Sequence, residues 1–442
     1  MVLQRNLEKN TVKHKVRTSS EDESLYQNFV RKLASISSDI MSSNIVVLAL
    51  SGGVDSISLL HLLIGWSAQN NKKLIAITIN HNLRKEAASE AAEISEYCKF
   101  LGIEHHVINW DHNNIQTSIQ EKARNARYNL LSSFCQPLNI KYVFTAHHLG
   151  DQIEQIMISL NQGAAIYSFY IPELAEFNGI TILRPLLDFP KETLISYCIS
   201  NGFKWWKDGS NEANEYLRNK VRPMAESLLS ISDNKKILTS ICNIKRASQS
   251  LTNITNKYIA SNISFSELGY AKFNISNYIL LEEEIRFSLI RFVILRIGRQ
   301  RTEIRLHSIK IIDSAISTKT KKSLGGCYVL FTGEFCVIVR DFAREEPKID
   351  VMNENVIWDH RFKIKTQDHQ NIKRISAGEL NLLIKAKPDL LNFDNQLPNN
   401  IKKIIILSLP SIFYLEKLVA IHHIYRYDMG DHISDMQIEF LK

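Results

Sequence analysis

The chain has 442 residues, 45% of them hydrophobic, and a formal net charge of +8. That length suggests roughly two to four domains with enough apolar residues for several packed cores, and a basic balance is compatible with a polyanionic partner. No run of about eighteen apolar residues occurs, so no membrane partner is expected, and the N-terminus lacks the apolar stretch of a secretory signal. The six cysteines, Cys98, Cys135, Cys198, Cys242, Cys327 and Cys336, form no C-x-x-C pair. They signal neither zinc nor a redox dithiol, and fit reduced thiols in a cytoplasmic protein.

Residues 1–43 read as an N-terminal extension. Its first part is basic and polar, with Arg5, Lys9, Lys13, Lys15 and Arg17; it fits a disordered tail, a targeting segment or a tail touching RNA. From Ile45 the chain alternates strands and helices. Strands are expected at Ile45–Leu50, Leu74–Ile79, Glu104–Ile108 and Tyr142–Ala146. Helices are expected at Val54–Trp66, Ala87–Leu101, ended by Gly102, at Ser118–Cys135, and from about Asp151. Such alternation implies a parallel sheet covered on both faces. From about Met224 to Arg305 the chain reads as helical. Cys327–Phe331 and Phe335–Arg340 then read as two strands joined by a Thr-Gly-Glu turn, followed by short β-rich and helical runs. The expected fold class is α/β: an N-terminal parallel-sheet domain over 44–225, a helical section over 226–318 and a small α+β domain over 319–442. No internal repeat is visible.

Ser51-Gly52-Gly53-Val54-Asp55-Ser56 lies between the first strand and its helix. Open α/β sheets bind ligands there, outside the carboxyl end of a strand. Two glycines let the backbone approach a phosphate, and exposed amides at a helix N-terminus favour an anion. Ser51 and Ser56 add hydroxyls. A carboxylate would repel phosphate, so Asp55 makes sense as a ligand of Mg²⁺ that bridges to the phosphates. There is no G-K-[ST], so this is not a Walker A loop. Asp151 and Glu154 are three apart at a helix start and share a face. Such a pair can bind magnesium, hold an ammonium group or take a proton from an attacking amine. Arg124 and Arg127, also three apart, can clamp a triphosphate or stabilise charge developing in transfer. Taken alone, each pair also reads as an ordinary surface ion pair.

The Ser-Gly-Gly-x-Asp-Ser loop resembles the PP-loop pyrophosphatases, which implies cleavage of ATP to AMP and pyrophosphate. Further segments resemble tRNA(Ile)-lysidine synthetase: Asn80-His81-Asn82-Leu83-Arg84, Ala123-Arg124-Asn125-Ala126-Arg127-Tyr128, Ala146-His147-His148-Leu149-Gly150-Asp151-Gln152-Ile153-Glu154, Arg184-Pro185-Leu186, Asp208-Gly209-Ser210-Asn211 and Tyr216-Leu217-Arg218-Asn219-Lys220-Val221-Arg222. The resemblance covers roughly residues 46–228. It implies that the PP-loop domain binds ATP at Ser51, Gly52, Gly53, Val54, Asp55 and Ser56, with His81 near the nucleotide. Metal would rest on Asp55 and Asp151, and catalysis on Asp151, Glu154, Arg124 and Arg127. Asp151 and Glu154 would hold lysine or act as base. Arg218, Lys220 and Arg222 would contact RNA, with a solvated helix face as the alternative reading of that run. His147 and His148 are read as site lining. Tyr216 can stack on bases, whereas Trp205 and Trp206 read as core.

The implied reaction ligates free L-lysine to the wobble cytidine of tRNA(Ile) with a CAU anticodon, through an adenylated cytidine. The C-terminal domain would share in tRNA binding. Oligomeric state is left open, a homodimer among the options. Departures from the family pattern are Asn80 for aspartate, Gly150 for the first aspartate of the pair, Gln155 for threonine, and Gln162-Gly163-Ala164-Ala165 for R-G-S-G. Two alternatives remain at this point. One is a PP-loop tRNA thiolase, which needs reactive cysteines beside the site. The other is a non-catalytic RNA-binding relative, for which Gly150 and Gln162 speak.

Overall fold

A computed structural model of the chain describes residues 20–80, 87–110, 119–206, 217–298, 304–342, 349–350, 355–359, 361–365, 370–414, 416–426 and 437–440. The chain divides into two compact units, Met1–Lys245 and Arg246–Lys442.

The first unit is built on strands β1 (Ile45–Ala49), β2 (Lys73–Asn80), β3 (Glu104–Asn109), β4 (Tyr142–Phe144), β5 (Leu174–Phe177) and β6 (Ile180–Leu183). They form one sheet in the order β3-β2-β1-β4-β6-β5. All neighbours are parallel except β5 and β6. The four strands expected from the sequence are all present. The β5–β6 hairpin was not expected, yet Asn178-Gly179 between the strands, at φ 46° and 81°, is a strong two-residue turn signal.

Successive strand residues point to opposite faces, and the sheet's two cores follow that rule. Val46, Leu48, Leu74, Ala76, Tyr142 and Phe144 face one core; Val47, Ile75, Ile77 and Val143 face the other. Helices α1 (Ser20–Ile36), α2 (Val54–Gln69) and α3 (Ala87–Phe100) are followed by α4 (Ile119–Cys135), α5 (Leu149–Gln162), α6 (Lys191–Ser200), α7 (Leu217–Ile231) and α8 (Asn234–Asn262). The first face is covered by α1, α2, α3 and α6; Tyr128, Leu131 and Cys135 of α4 cover the second. Burial on both faces explains why β1 and β2 read as unbroken apolar runs.

Helix α1 falls within the expected extension. It drops Leu25, Phe29 and Leu33, spaced by one helical turn each, into the first core. Its Lys32 bonds Asp188 and, at 2.6 Å, Glu173, a carboxylate that Lys245 of α8 also reaches at 3.1 Å. A smaller core joins Leu149 and Ile153 of α5 to Ala225 of α7 and Ile241 of α8.

In the second unit, β7 (Ser264–Phe265), β8 (Tyr270–Asn274), β9 (Lys322–Leu324), β10 (Cys327–Thr332) and β11 (Phe335–Arg340) form an antiparallel sheet ordered β7-β8-β11-β10-β9. The β10–β11 hairpin matches its expected limits closely. Strand β8 lies inside the run read as helical. Gly269, at φ 73°, closes a turn with its N–H on the Ser266 carbonyl, and Tyr270, Ala271 and Phe273 then pack as strand residues. Helices α9 (Ile275–Ile279), α10 (Glu283–Gly298) and α11 (Leu306–Ser317) complete this core. The rest carries β12 (Ile349–Asp350), β13 (Asn355–Trp358), β14 (Phe362–Lys365), β15 (Gln370–Lys373), β16 (Ser411–Tyr414), β17 (Lys417–Ile421), β18 (Tyr425–Arg426) and β19 (Gln437–Phe440), with helices α12 (Ala377–Ala386) and α13 (Asn399–Leu407). These strands make two further small sheets, β12-β15-β16-β17-β18 and β13-β14-β19. The class is thus α/β with a parallel N-terminal sheet and small antiparallel C-terminal sheets.

His105 of β3 ties the first sheet to a helix. Its Nε2 bonds Thr78 Oγ1 of β2 and its Nδ1 bonds Ser95 Oγ of α3, each at 2.8 Å. Burial, helped by the charge of His106, pushes its pKa down to about 4. The unfolded chain therefore takes up this proton near pH 6.5, before the folded chain does. Stability contributed by neutral His105 is complete above about pH 6.5 and is lost as pH falls to about 4, at no more than about 1 kcal/mol per pH unit after solvent screening. Denaturant titrations across this window should show a shallower acid loss in His105→Gln; identical slopes would contradict the assignment.

Candidate active site

Between β1 and β4 the strand order reverses, with β2 and β3 on one side and β6 on the other. Open parallel sheets bind ligands in such a crevice, beyond the carboxyl ends of the strands. Two segments leave the sheet there: the Ser51–Ser56 loop into α2, and His147–Asp151 into α5. Gly52 takes φ 84°, and a Cβ on it would lie 2.6 Å from Ile94 Cδ1. Its carbonyl accepts the Trp206 N–H at 2.9 Å. Ser56 is buried and donates to the Gly53 carbonyl at 2.9 Å; Ser51 Oγ donates to Ser56 Oγ at 3.2 Å. Gly53 precedes α2 without any side-chain cap. The N-cap thus adds no side chain of its own at the positive end of the helix dipole, which favours an anion.

His148 is the N-cap of α5. Its Nδ1 accepts the Gly150 N–H, and its own N–H donates to Asp151 Oδ2, both at 2.9 Å. This reciprocal box holds the helix start. Because Nδ1 accepts, the neutral ring carries its proton on Nε2. That atom lies 3.6 Å from Asp55 Oδ2 and 3.8 Å from Asp151 Oδ2. The two acids chosen from the sequence therefore meet across one imidazole. Burial raises the Asp55 pKa above the ordinary carboxylate range, against the charges of His148 and Lys191. Burial also works to raise Asp151, but His148, His147, the His148 amide and Arg218 outweigh it and hold that carboxyl below the usual range. Lys191, the first residue of α6, was not singled out from the sequence. Its charge acts on Asp55, and its signal is Pro190 at the N-cap of a helix that follows β6.

Glu154 lies one turn further along α5 and is 4% exposed. Arg218 Nε donates to its Oε2 and Arg222 Nε to its Oε1, both at 2.9 Å. The two arginines are four apart on α7 and share a face, whereas Lys220 is exposed. The sequence reading gave Glu154 to the substrate and the arginines to RNA; the structure brings all three together.

His81, Asp208, Gly209, Ser210, Asn211 and Tyr216 lie outside the described residues, as does the side chain of Arg124. Arg127 is exposed on α4. Trp205 and Trp206 pack against the first core, as expected. The departures have local partners. Asn80 donates to Asn109 Oδ1 at 3.0 Å. Gln155 Nε2 and Ser159 Oγ both donate to the Ser168 carbonyl, at 2.8 and 2.7 Å. Buried Gln152 exchanges two hydrogen bonds with the Ile171 backbone. These bonds stitch the chain after Gln162 back onto α5. The thiols of Cys98 and Cys135 are pushed up to about 11 by burial, the opposite of an activated thiolate.

A profile of the PP-loop domain matches residues 25–227. Similarity to three relatives spans nearly the whole chain. The tRNA(Ile)-lysidine synthase of Rickettsia bellii (strain RML369-C) is 32% identical over 419 residues, 91% of this chain and 95% of that protein. The Orientia tsutsugamushi (strain Boryong) enzyme of the same name is 31% identical over 396 residues, 86% of this chain and 89% of that one. The Wolbachia pipientis wMel one is 35% identical over 415 residues, 90% and 92% respectively.

Gly52→Ala tests the loop geometry. A left-handed alanine costs about 1–2 kcal/mol before any clash, and the contact with Ile94 adds to it. Chemical denaturation should register at least that loss, and wild-type stability would show that the loop does not need this conformation.

Proposed function

The chain belongs to the tRNA(Ile)-lysidine synthase family, and on that premise we propose that it ligates free L-lysine to the wobble cytidine of tRNA(Ile) with a CAU anticodon, using ATP and Mg²⁺. The observation that carries this reading is the meeting of Asp55 and Asp151 beside the uncapped amide end of α2. That arrangement suits a bound triphosphate together with a cationic amine. A cytoplasmic setting goes with these substrates. Among the described residues no helix is long and apolar enough to cross a membrane.

The amides of the Ser51–Ser56 loop, with the Ser51 and Ser56 hydroxyls, take the phosphates. Among the described residues no three His, Cys, Asp or Glu side chains gather for a metal. Mg²⁺ does not need them, because it is usually held by one or two carboxylates plus substrate phosphates. Asp55 Oδ1 is buried without a hydrogen-bond partner, which fits a cation ligand. Asp55, with Asp151, would hold the ion, which supplies charge neutralisation at the phosphates. His81, Arg124 and Arg127 are assigned to the nucleotide and its leaving pyrophosphate on the strength of their motifs.

The flipped-out cytidine attacks the α-phosphorus through its carbonyl oxygen, forming the O–P bond as the bond to pyrophosphate breaks. The lysine ε-amine then attacks the base carbon that bears the adenylated oxygen, forming the C–N bond as the C–O bond breaks and AMP leaves, with the amine's proton passing to a base. An ammonium must first be attracted and deprotonated. Both oxygens of Glu154 are occupied by guanidinium groups, and that trio carries net positive charge, so it repels an ammonium. We therefore give the lysine amine to Asp151, and give Glu154 the task of fixing Arg218 and Arg222 for RNA, with Lys220 adding charge. Thiolation would need an activated thiol at the strand ends, and the buried thiols of Cys98 and Cys135 do not supply one.

Separate measurements of adenylated tRNA and of lysidine, over a lysine titration, test this division. Asp55→Ala should reduce pyrophosphate release to background in a folded protein. Asp151→Asn should raise the lysine requirement and, since that carboxylate also helps to hold the ion, lower pyrophosphate release. Glu154→Gln should weaken tRNA binding and flatten its salt dependence, since two phosphate-binding groups lose their support. If Glu154→Gln instead raises the lysine requirement at unchanged tRNA affinity, the carboxylate serves the lysine after all.

A further inference from the structure

Gly150 and His148 are bound together by geometry. Gly150 is buried in the first turn of α5, and a Cβ built on it would lie 2.7 Å from His148 Cε1 and 3.0 Å from Nδ1. Real Cβ atoms essentially never come that close, so any side chain at position 150 would oblige the ring to shift from where it now folds back over the helix start. There it accepts the Gly150 N–H on Nδ1, which leaves the proton on Nε2, the atom that faces both carboxylates. The ring is enclosed, its side chain only 12% exposed.

We propose that Gly150 and His148 work as a pair that sets the placement of Asp55 and Asp151, with His148 as a positioning residue whose Nε2–H stands between the two carboxylates. The need for such a group is electrostatic. Two carboxylates at one half-buried site repel each other, and Asp151 acts on Asp55 in that sense. An N–H dipole directed between them draws both toward one point. Asp55 comes from the first turn of the helix after β1 and Asp151 from the first turn of the helix after β4, so no backbone bond fixes their separation. The inference rests on the ligase reading for its consequence, though not for its geometry.

The experiment separates capping from positioning. Asparagine is as good an N-cap as any residue, but it is too short to reach both carboxylates. His148→Asn should therefore keep the thermal midpoint while pyrophosphate release, with lysine and tRNA present, falls by about tenfold or more. Gly150→Ala should show a similar loss of turnover, because the ring must swing away. Adding Gly150→Ala to His148→Asn should cost nothing further, since the clash has gone. Wild-type turnover in His148→Asn, or losses that multiply in the double variant, would overturn the proposal. A second readout does not depend on activity. Nitrogen NMR of labelled histidine should show His148 as the Nε2–H tautomer in the wild type, and this signature should vanish in Gly150→Ala. Its persistence there would refute the pairing even if the ligase reading stands. Failure of the ligase reading alone would look different: the signature in place, with no pyrophosphate released by the wild-type protein.

Discussion

Parallel pairing of β1 with β4, Val47 with Val143 and Leu48 with Phe144, decides where the rest of the first unit can act. The chain runs outward from β1 to β2 and β3, then returns to place β4 on the other side of β1. Two helix starts consequently leave the same edge side by side, with no crossover helix between them. One brings uncapped amides, the other a capped turn with two acids. A register shift of one residue would send Val143 and its neighbours to the wrong face of the sheet, so the two cores enforce the alignment that the site needs. The apolar runs of β1 and β4 therefore place Asp55 opposite Asp151, though neither run contains a catalytic group.

Charge within the site is divided by depth along α5. At its first turn, Asp151 faces Asp55 across His148. One turn on, Glu154 is saturated by Arg218 and Arg222. A buried carboxylate with two guanidinium groups is expensive to disrupt, so this trio behaves as a fixed cationic feature and the first turn as the anionic one. On the proposed reading, an ammonium and an RNA phosphate would accordingly be drawn to different places within a few residues of one helix. The same division would then let α7 contact RNA without competing for the amine.

Much of this was legible in the sequence, and the reasons are physical. Strands β1, β2 and β4 were found because burial on both faces leaves largely unbroken apolar runs, whereas β3 is a half-exposed edge strand placed by the strand–helix alternation. The loop was found because glycine, serine and aspartate at a strand end have few other uses. Helix α1 was hidden inside a segment judged by its basic first residues, although Leu25, Phe29 and Leu33 carry the helical period. The β5–β6 hairpin was missed despite Asn178-Gly179, and β8 was missed because a five-residue strand does not interrupt a long helical pattern. Long-range pairings were the least visible. Arg218, Lys220 and Arg222 read as one basic run, and nothing in it told that Glu154 pairs with both arginines, while Lys191 is distant in sequence from Asp55. Position 150 looked like a lost acid, and only the position of the His148 ring showed what its glycine makes room for.

The central claim is that this site joins lysine to a cytidine of tRNA(Ile). Mass analysis of that tRNA after incubation with the protein, ATP and isotopically labelled lysine tests it most directly. The account predicts that the wobble cytidine alone gains the mass of labelled lysine less one water, with the label retained. An unmodified wobble cytidine, or a gain of sulfur in place of lysine, would contradict it.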